Sequence, residues 1–254
     1  RLQFSAAVGR ARLNKLNLAR QDTSAFASFQ ITGDFTGAGI DQLQGEMSLK
    51  DVVLTMAQKT LKVNDVLLFT KQIDSINRFI LRSDILHAEV WGKYEFLKLP
   101  LSFTAMLKQY IPSLVAPSVS ADSLSHNNFR FDMEFVDTDQ LTNFLTDEFF
   151  IAEGSRMEGV YDPYHRNVSL ELRIPYIDLS GKRWSNLLAT GKTSEQGFVM
   201  DVSCSGFDLN DRIPLQNIRG RAVARNDSVW TDFSWRASEH PELNAGRVGA
   251  LIHF

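Results

Sequence analysis

Acid–base and metal chemistry would need histidines, carboxylates or a cysteine at short, repeated spacings. The five histidines (His87, His126, His165, His240 and His253) are far apart, and none forms a two-residue ligand pair with Cys, His or Asp at metal spacing. The single cysteine, Cys204, excludes an internal disulfide framework and reads as a small buried hydrophobe rather than a nucleophile. Gly191-Lys192-Thr193 mimics the end of a phosphate-binding loop, but Asn186 stands where the required glycine belongs. Gly37-Ala38-Gly39 opens like a dinucleotide fingerprint, yet Gln42 occupies the third small position and no helix follows, so it reads as a turn. Asp and Glu residues such as Asp132 and Glu134 are outward partners in strands, and nothing marks one pair as acid and base. The expectation is a non-enzyme with no metal and no cofactor. Such a chain holds or carries something rather than transforming it.

The elements that would position any site are strands. Phe129-Arg130-Phe131-Asp132-Met133-Glu134-Phe135 alternates apolar and charged residues, and successive side chains of a strand point to opposite faces. Val168, Leu170, Leu172 and Ile174 repeat the pattern, as do Phe198, Met200, Val202 and Cys204, then Val229, Thr231, Phe233 and Trp235. Candidate strands are Leu2–Val8, Ala25–Phe35, Gln42–Leu49, Val52–Met56, Thr60–Thr70, Asn77–Arg82, Leu86–Phe96 and Asn128–Val136. They continue as Arg156–Tyr161, Asn167–Ile174, Trp184–Thr190, Phe198–Ser205, Asn217–Ala224, Ser228–Arg236 and Gly246–Phe254. Turn residues separate many of them and few helices intervene, so neighbours should pair antiparallel in a meander. A dozen strands at about 4.8 Å each give a sheet on the order of 60 Å long, which must curl, close or continue.

Two helices interrupt the meander. Leu99, Phe103, Met106, Leu107, Tyr110 and Leu114 recur at helical spacing, with Pro100 in the first turn and Pro112 and Pro117 ending the helix. The second is Thr138–Phe149, with Asp137 as N-cap and Leu141, Phe144, Leu145 and Phe149 on one face. Neither has the basic opposite face of a membrane-surface helix.

The 254 residues carry a net charge of -3, with 27 basic and 30 acidic residues dispersed, leaving no basic stripe for nucleic acid. Eighteen phenylalanines suit a wide apolar surface better than a polar pocket. No apolar run is long enough to span a bilayer as a helix. The opening Arg1, leading directly into Leu2–Val8 with no signal peptide, suggests a segment of a longer protein.

The order of phrases has a family look. Ile40-Asp41-Gln42-Leu43-Gln44-Gly45-Glu46-Met47-Ser48-Leu49-Lys50-Asp51 is followed by Lys59-Thr60-Leu61-Lys62-Val63-Asn64-Asp65-Val66. Then come the run Phe79–Phe96 and the Leu99–Leu114 helix. The tail adds Ile213-Pro214-Leu215-Gln216-Asn217-Ile218, Ala224-Arg225-Asn226-Asp227-Ser228, Phe233-Ser234-Trp235 and the closing Gly246–Phe254. This order resembles the translocation and assembly module TamB proteins, in particular their Bacteroidetes branch. The likeness covers most of the chain through phrase order rather than an invariant catalytic motif.

The resemblance implies an internal segment of an AsmA-like, bridge-like lipid-transfer protein, anchored in the inner membrane and crossing the periplasm. Its fold would be mainly β: one continuous trough over residues 1–254, a half-open antiparallel sheet (a β-taco) with an apolar interior and helices near 99–114 and 138–149. Its partners would be phospholipid acyl chains and, through regions outside this sequence, an outer-membrane barrel protein of the TamA type. The groove candidates are Phe129, Phe131, Met133, Phe135, Val168, Leu170, Leu172, Ile174, Phe198, Met200, Val202, Phe233 and Trp235. Periodicity alone favours an ordinary closed core; the resemblance turns the reading toward the trough. A structural module that binds outer-membrane strands by β-augmentation is the alternative.

Overall fold

The computed structural model describes residues 1–15, 22, 24–37, 40–114, 127–145, 149–208, 214–237 and 245–254. His126, His240, Pro117 and the Ala38-Gly39 part of the glycine turn lie outside them. So do the side chains of Phe103, Met106, Leu107 and Leu114 in the first helix.

Strands β1 (Leu2–Arg12), β2 (Phe26–Thr36), β3 (Gln44–Met56), β4 (Lys59–Ile73), β5 (Ile76–Ser83) and β6 (Leu86–Lys93) form a meander. Helix α1 (Leu99–Tyr110) follows, then β7 (Asn128–Phe135), α2 (Asp139–Leu145), β8 (Phe149–Ile151) and β9 (Arg156–Asp162). The remainder is β10 (Asn167–Leu179), β11 (Lys182–Ser194), β12 (Gly197–Asp208), β13 (Pro214–Arg225), β14 (Ser228–Ala237) and β15 (Ala245–His253). All belong to one 15-stranded antiparallel sheet in nearly sequential order. Only β8 leaves the sequential path, pairing with the far end of β10. β1 and β15 do not pair, so the sheet is open. It exposes 16075 Å², where a compact chain of 28.7 kDa would expose roughly 11,000 Å².

Several sequence-based boundaries shift. Gln42–Leu49 and Val52–Met56 are one strand, β3. Its Asp51 takes φ 53, a conformation an aspartate tolerates, so the apolar positions step from Leu49 to Val52 without a turn. Val52, Leu54 and Val66 therefore pack against one cluster with Leu61, Val63 and Ile85. Strand β10 runs past Ile174, and β11 begins before Trp184. Pro175 is tolerated there because its N position faces β11, and the β10–β11 register skips it: Ile174 pairs with Leu187 and Tyr176 with Ser185, with Asn186 at φ 50 between them.

The first helix ends at Tyr110, and Pro112–Leu114 is a separate 3-10 turn. The second spans only Asp139–Leu145, with the Asp137 carboxylate accepting a hydrogen bond from the Asp139 amide at 3.2 Å. Phe149, expected on that helix, instead starts β8, a short strand too brief for alternation to reveal.

Candidate functional site: the apolar face of the sheet

Residues paired directly across antiparallel strands share a face, so the register can be followed across the sheet. One row runs Phe4, Gly33, Met47, Leu68, Leu81, Ala88, Met133, Met157, Leu172, Ala189, Val202, Gly220, Phe233 and Val248. It crosses all fourteen strands of the main path without one polar side chain. A second row, two residues along, runs Leu2, Phe35, Gly45, Thr70, Phe79, Val90, Phe131, Gly159, Leu170, Gly191, Met200, Ala222, Thr231 and Ala250. Threonine is its only polar type.

The floor of this face is built from rings laid over glycines. Phe4 faces Gly33, Phe131 faces Gly159, Phe233 faces Gly220 and Trp235 faces Gly246. In each pair a ring atom lies within 2.6 Å of where a glycine Cβ would stand. The ring therefore covers the neighbouring strand, a known remedy for glycine in a sheet. Phe198 does the same diagonally over Gly191. Gly191 is thus a mid-strand residue, and the Gly191-Lys192-Thr193 triplet lies in β11 with no loop to cradle a phosphate.

One end of the face is covered. Helix α1 is secured at its start by Asn127, which donates to Ser102 Oγ at 2.9 Å and accepts from the Glu95 amide at 3.2 Å. At its end the Tyr110 hydroxyl lies 3.1 Å from Thr193 Oγ1. The Asp227 carboxylate accepts from the Ser113 amide at 2.9 Å and hydroxyl at 2.6 Å. Tyr94, Tyr110 and Ile111 close over Phe129, Phe131, Tyr161, Val168 and Phe198 as a buried cluster. Tyr161 stacks on Phe129 with ring centroids 5.2 Å apart. Burial pushes the Tyr94 and Tyr161 phenols up from their ordinary values, so both are neutral and suit an apolar setting. At the opposite strand ends α2 packs Leu141 and Phe144 on the Leu61, Val63 and Ile85 cluster.

The predicted groove residues thus divide. Phe129, Phe131, Val168, Ile174 and Phe198 are 2%, 5%, 5%, 5% and 7% exposed, in packed surroundings rather than an open groove. Met133, Phe135, Leu170, Leu172, Met200, Val202 and Trp235 are half-buried, and Phe233 is exposed. The apolar stripe of the first helix reads in the sequence as a face packed on the sheet, but its landing point and the ring-over-glycine pairs do not show there. Tyr110 is the residue of that stripe seen to close on the sheet; both the landing point and the pairs need the register.

The other face is charged. Glu89, Asp132, Glu158 and Glu171 are consecutive in one row. Arginines of adjacent rows pair with carboxylates: Arg78 with Glu89 at 2.7 Å, Arg156 with Asp132, Arg173 with Glu171. Exposed pairs of this kind add little stability, but they keep this face wet and penalise a one-residue register slip. Cys204 is buried, and the His165 and His253 rings lie against Asp162 and Ser228. Among the described residues no group of three or more His, Cys, Asp or Glu could hold a metal ion, and no helix is long and apolar enough to cross a membrane.

Comparison of the chain with protein-family models, curated proteins and solved structures finds no match.

Proposed function

We propose that this chain is a segment of a lipid-conducting trough, of the kind the TamB-like phrase order implies, passing phospholipid acyl chains between inner and outer membrane across the periplasm. The observation that carries the reading is the unbroken apolar row through Met133, Met157, Leu172 and Val202, all half-buried, with Leu172 and Val202 outside the buried clusters of the described residues. A fully buried methylene gains about 0.8 kcal/mol, so a dozen gain at most about 10 kcal/mol, and less on a floor that covers one side. Many similar shallow contacts suit movement along the row better than one tight pocket. Support of outer-membrane protein assembly would come through regions outside this sequence.

A photo-crosslinking residue placed at Met157 or Leu172 should label phospholipid in cells, and the same residue at Glu158 or Glu171 should not. Equal labelling on both faces, or none, would overturn the reading.

A second reading rests on the open edges. β1 and β15 each pair on one side only. An extended outer-membrane strand could add to either by β-augmentation. Proline substitutions in Leu2–Val8 or Gly246–Phe254 should then abolish binding of strand peptides.

A further inference from the structure

Several arginines on the charged face sit beside a carboxylate, as Arg78, Arg156 and Arg173 do, but near the β15 edge three arginines gather around one. Arg219 on β13, Ser234 on β14 and Arg247 on β15 are paired across the three strands, and Arg236 lies two residues along β14 on the same face. These four residues line a cavity of about 620 Å³, together with Asn217, Trp235, Ala245 and Gly246. Asn217, at φ 50, marks a register shift between Gln216 and Arg219 that brings Arg219 opposite Ser234. Asp232 accepts from Arg247 Nε at 3.0 Å and so neutralises one of the three guanidinium groups. Arg219 and Arg236 have no carboxylate partner among the described residues.

We infer that this cavity binds an oxyanion, a phosphate or phosphate ester, between the Arg219 and Arg236 guanidinium groups with the Ser234 hydroxyl as a third donor. Planar guanidinium groups match phosphate oxygens in bidentate pairs, and a hydroxyl between them supplies a neutral donor. The site stands on the outer face and does not depend on the trough carrying acyl chains. Two sources share this chemistry: free phosphate, and the head group of an anionic amphiphile.

The test is calorimetric titration of the whole chain at low salt with inorganic phosphate and, separately, with a short-chain phosphatidate below its micelle concentration. Arg219→Gln/Arg236→Gln should weaken phosphate binding about tenfold or more. Arg78→Gln/Arg156→Gln, the same charge change at ion-paired positions, should leave it within about twofold. Phosphatidate binding tighter than phosphate assigns the site to a head group, and equal binding assigns it to the free anion; either supports the site. Equal loss in both double variants would reduce the effect to net charge and overturn the proposal, as would no binding of either probe by the unaltered chain.

Discussion

Phe129 and Leu172 stand on the same sheet face, but substitution should separate them sharply. Phe129 is 2% exposed beneath the α1 lid, stacked on Tyr161 and touching the Tyr94 ring edge-on. Truncation to alanine removes a whole ring from a packed site and should cost about 3–5 kcal/mol, a large share of a domain's total of roughly 5–15 kcal/mol. Leu172 is half-buried in the apolar row and belongs to none of the buried clusters of the described residues. In an open trough Leu172→Asp forfeits only its partial burial, about 1–2 kcal/mol, because the carboxylate can turn to water. In a closed core the same carboxylate would be stranded among apolar neighbours at a cost of several kcal/mol more. Urea unfolding followed by circular dichroism should therefore give a midpoint loss of about 1–2 M for Phe129→Ala and clearly less for Leu172→Asp. A Leu172→Asp chain that loses more than Phe129→Ala, or does not fold, would refute the open-row reasoning.

Gly159→Ala should destabilise by about 1–3 kcal/mol through overpacking, since its Cβ would stand 2.5 Å from the Ser169 carbonyl oxygen and 2.6 Å from the Phe131 ring; differential scanning calorimetry reads this. Gly220→Ala should cost less, because the Phe233 ring it meets is 42% exposed and can turn away. Asp34 is held down to about 2 from 3.8, first by the Arg1 side chain and then by Gln3. Its folded value lies below its unfolded one, so its contribution is complete above about pH 4 and is lost as pH falls toward 2. A carboxyl NMR titration should find that midpoint, and Arg1→Gln should move it up toward 3.8.

Alternation in runs such as Phe129–Phe135 made the antiparallel meander legible, because a period of two leaves one face to bury and one to hydrate. Alternation fails where a backbone device resets the phase. Asp51 made one strand look like two, and Pro175 made β10 look finished at Ile174. The unbroken row from Phe4 to Val248 is a property of register, and register joins residues 4, 157 and 233 that no local window contains. For the same reason the sequence placed Phe129 and Leu172 together as groove candidates. Their different exposure depends on where α1 lands, and that is fixed by Asn127, Thr193 and Asp227 at distant positions.

The central claim is that the half-buried apolar row takes up acyl chains. Its most direct test is mass spectrometry of the organic extract from chain purified without detergent, comparing the unaltered protein with Leu172→Asp and with the outer-face control Glu171→Gln. The account predicts co-purified phospholipid in the unaltered chain and in Glu171→Gln, and a loss of most of it in folded Leu172→Asp. A folded, lipid-free unaltered chain that also takes up no fluorescent fatty acid would contradict it.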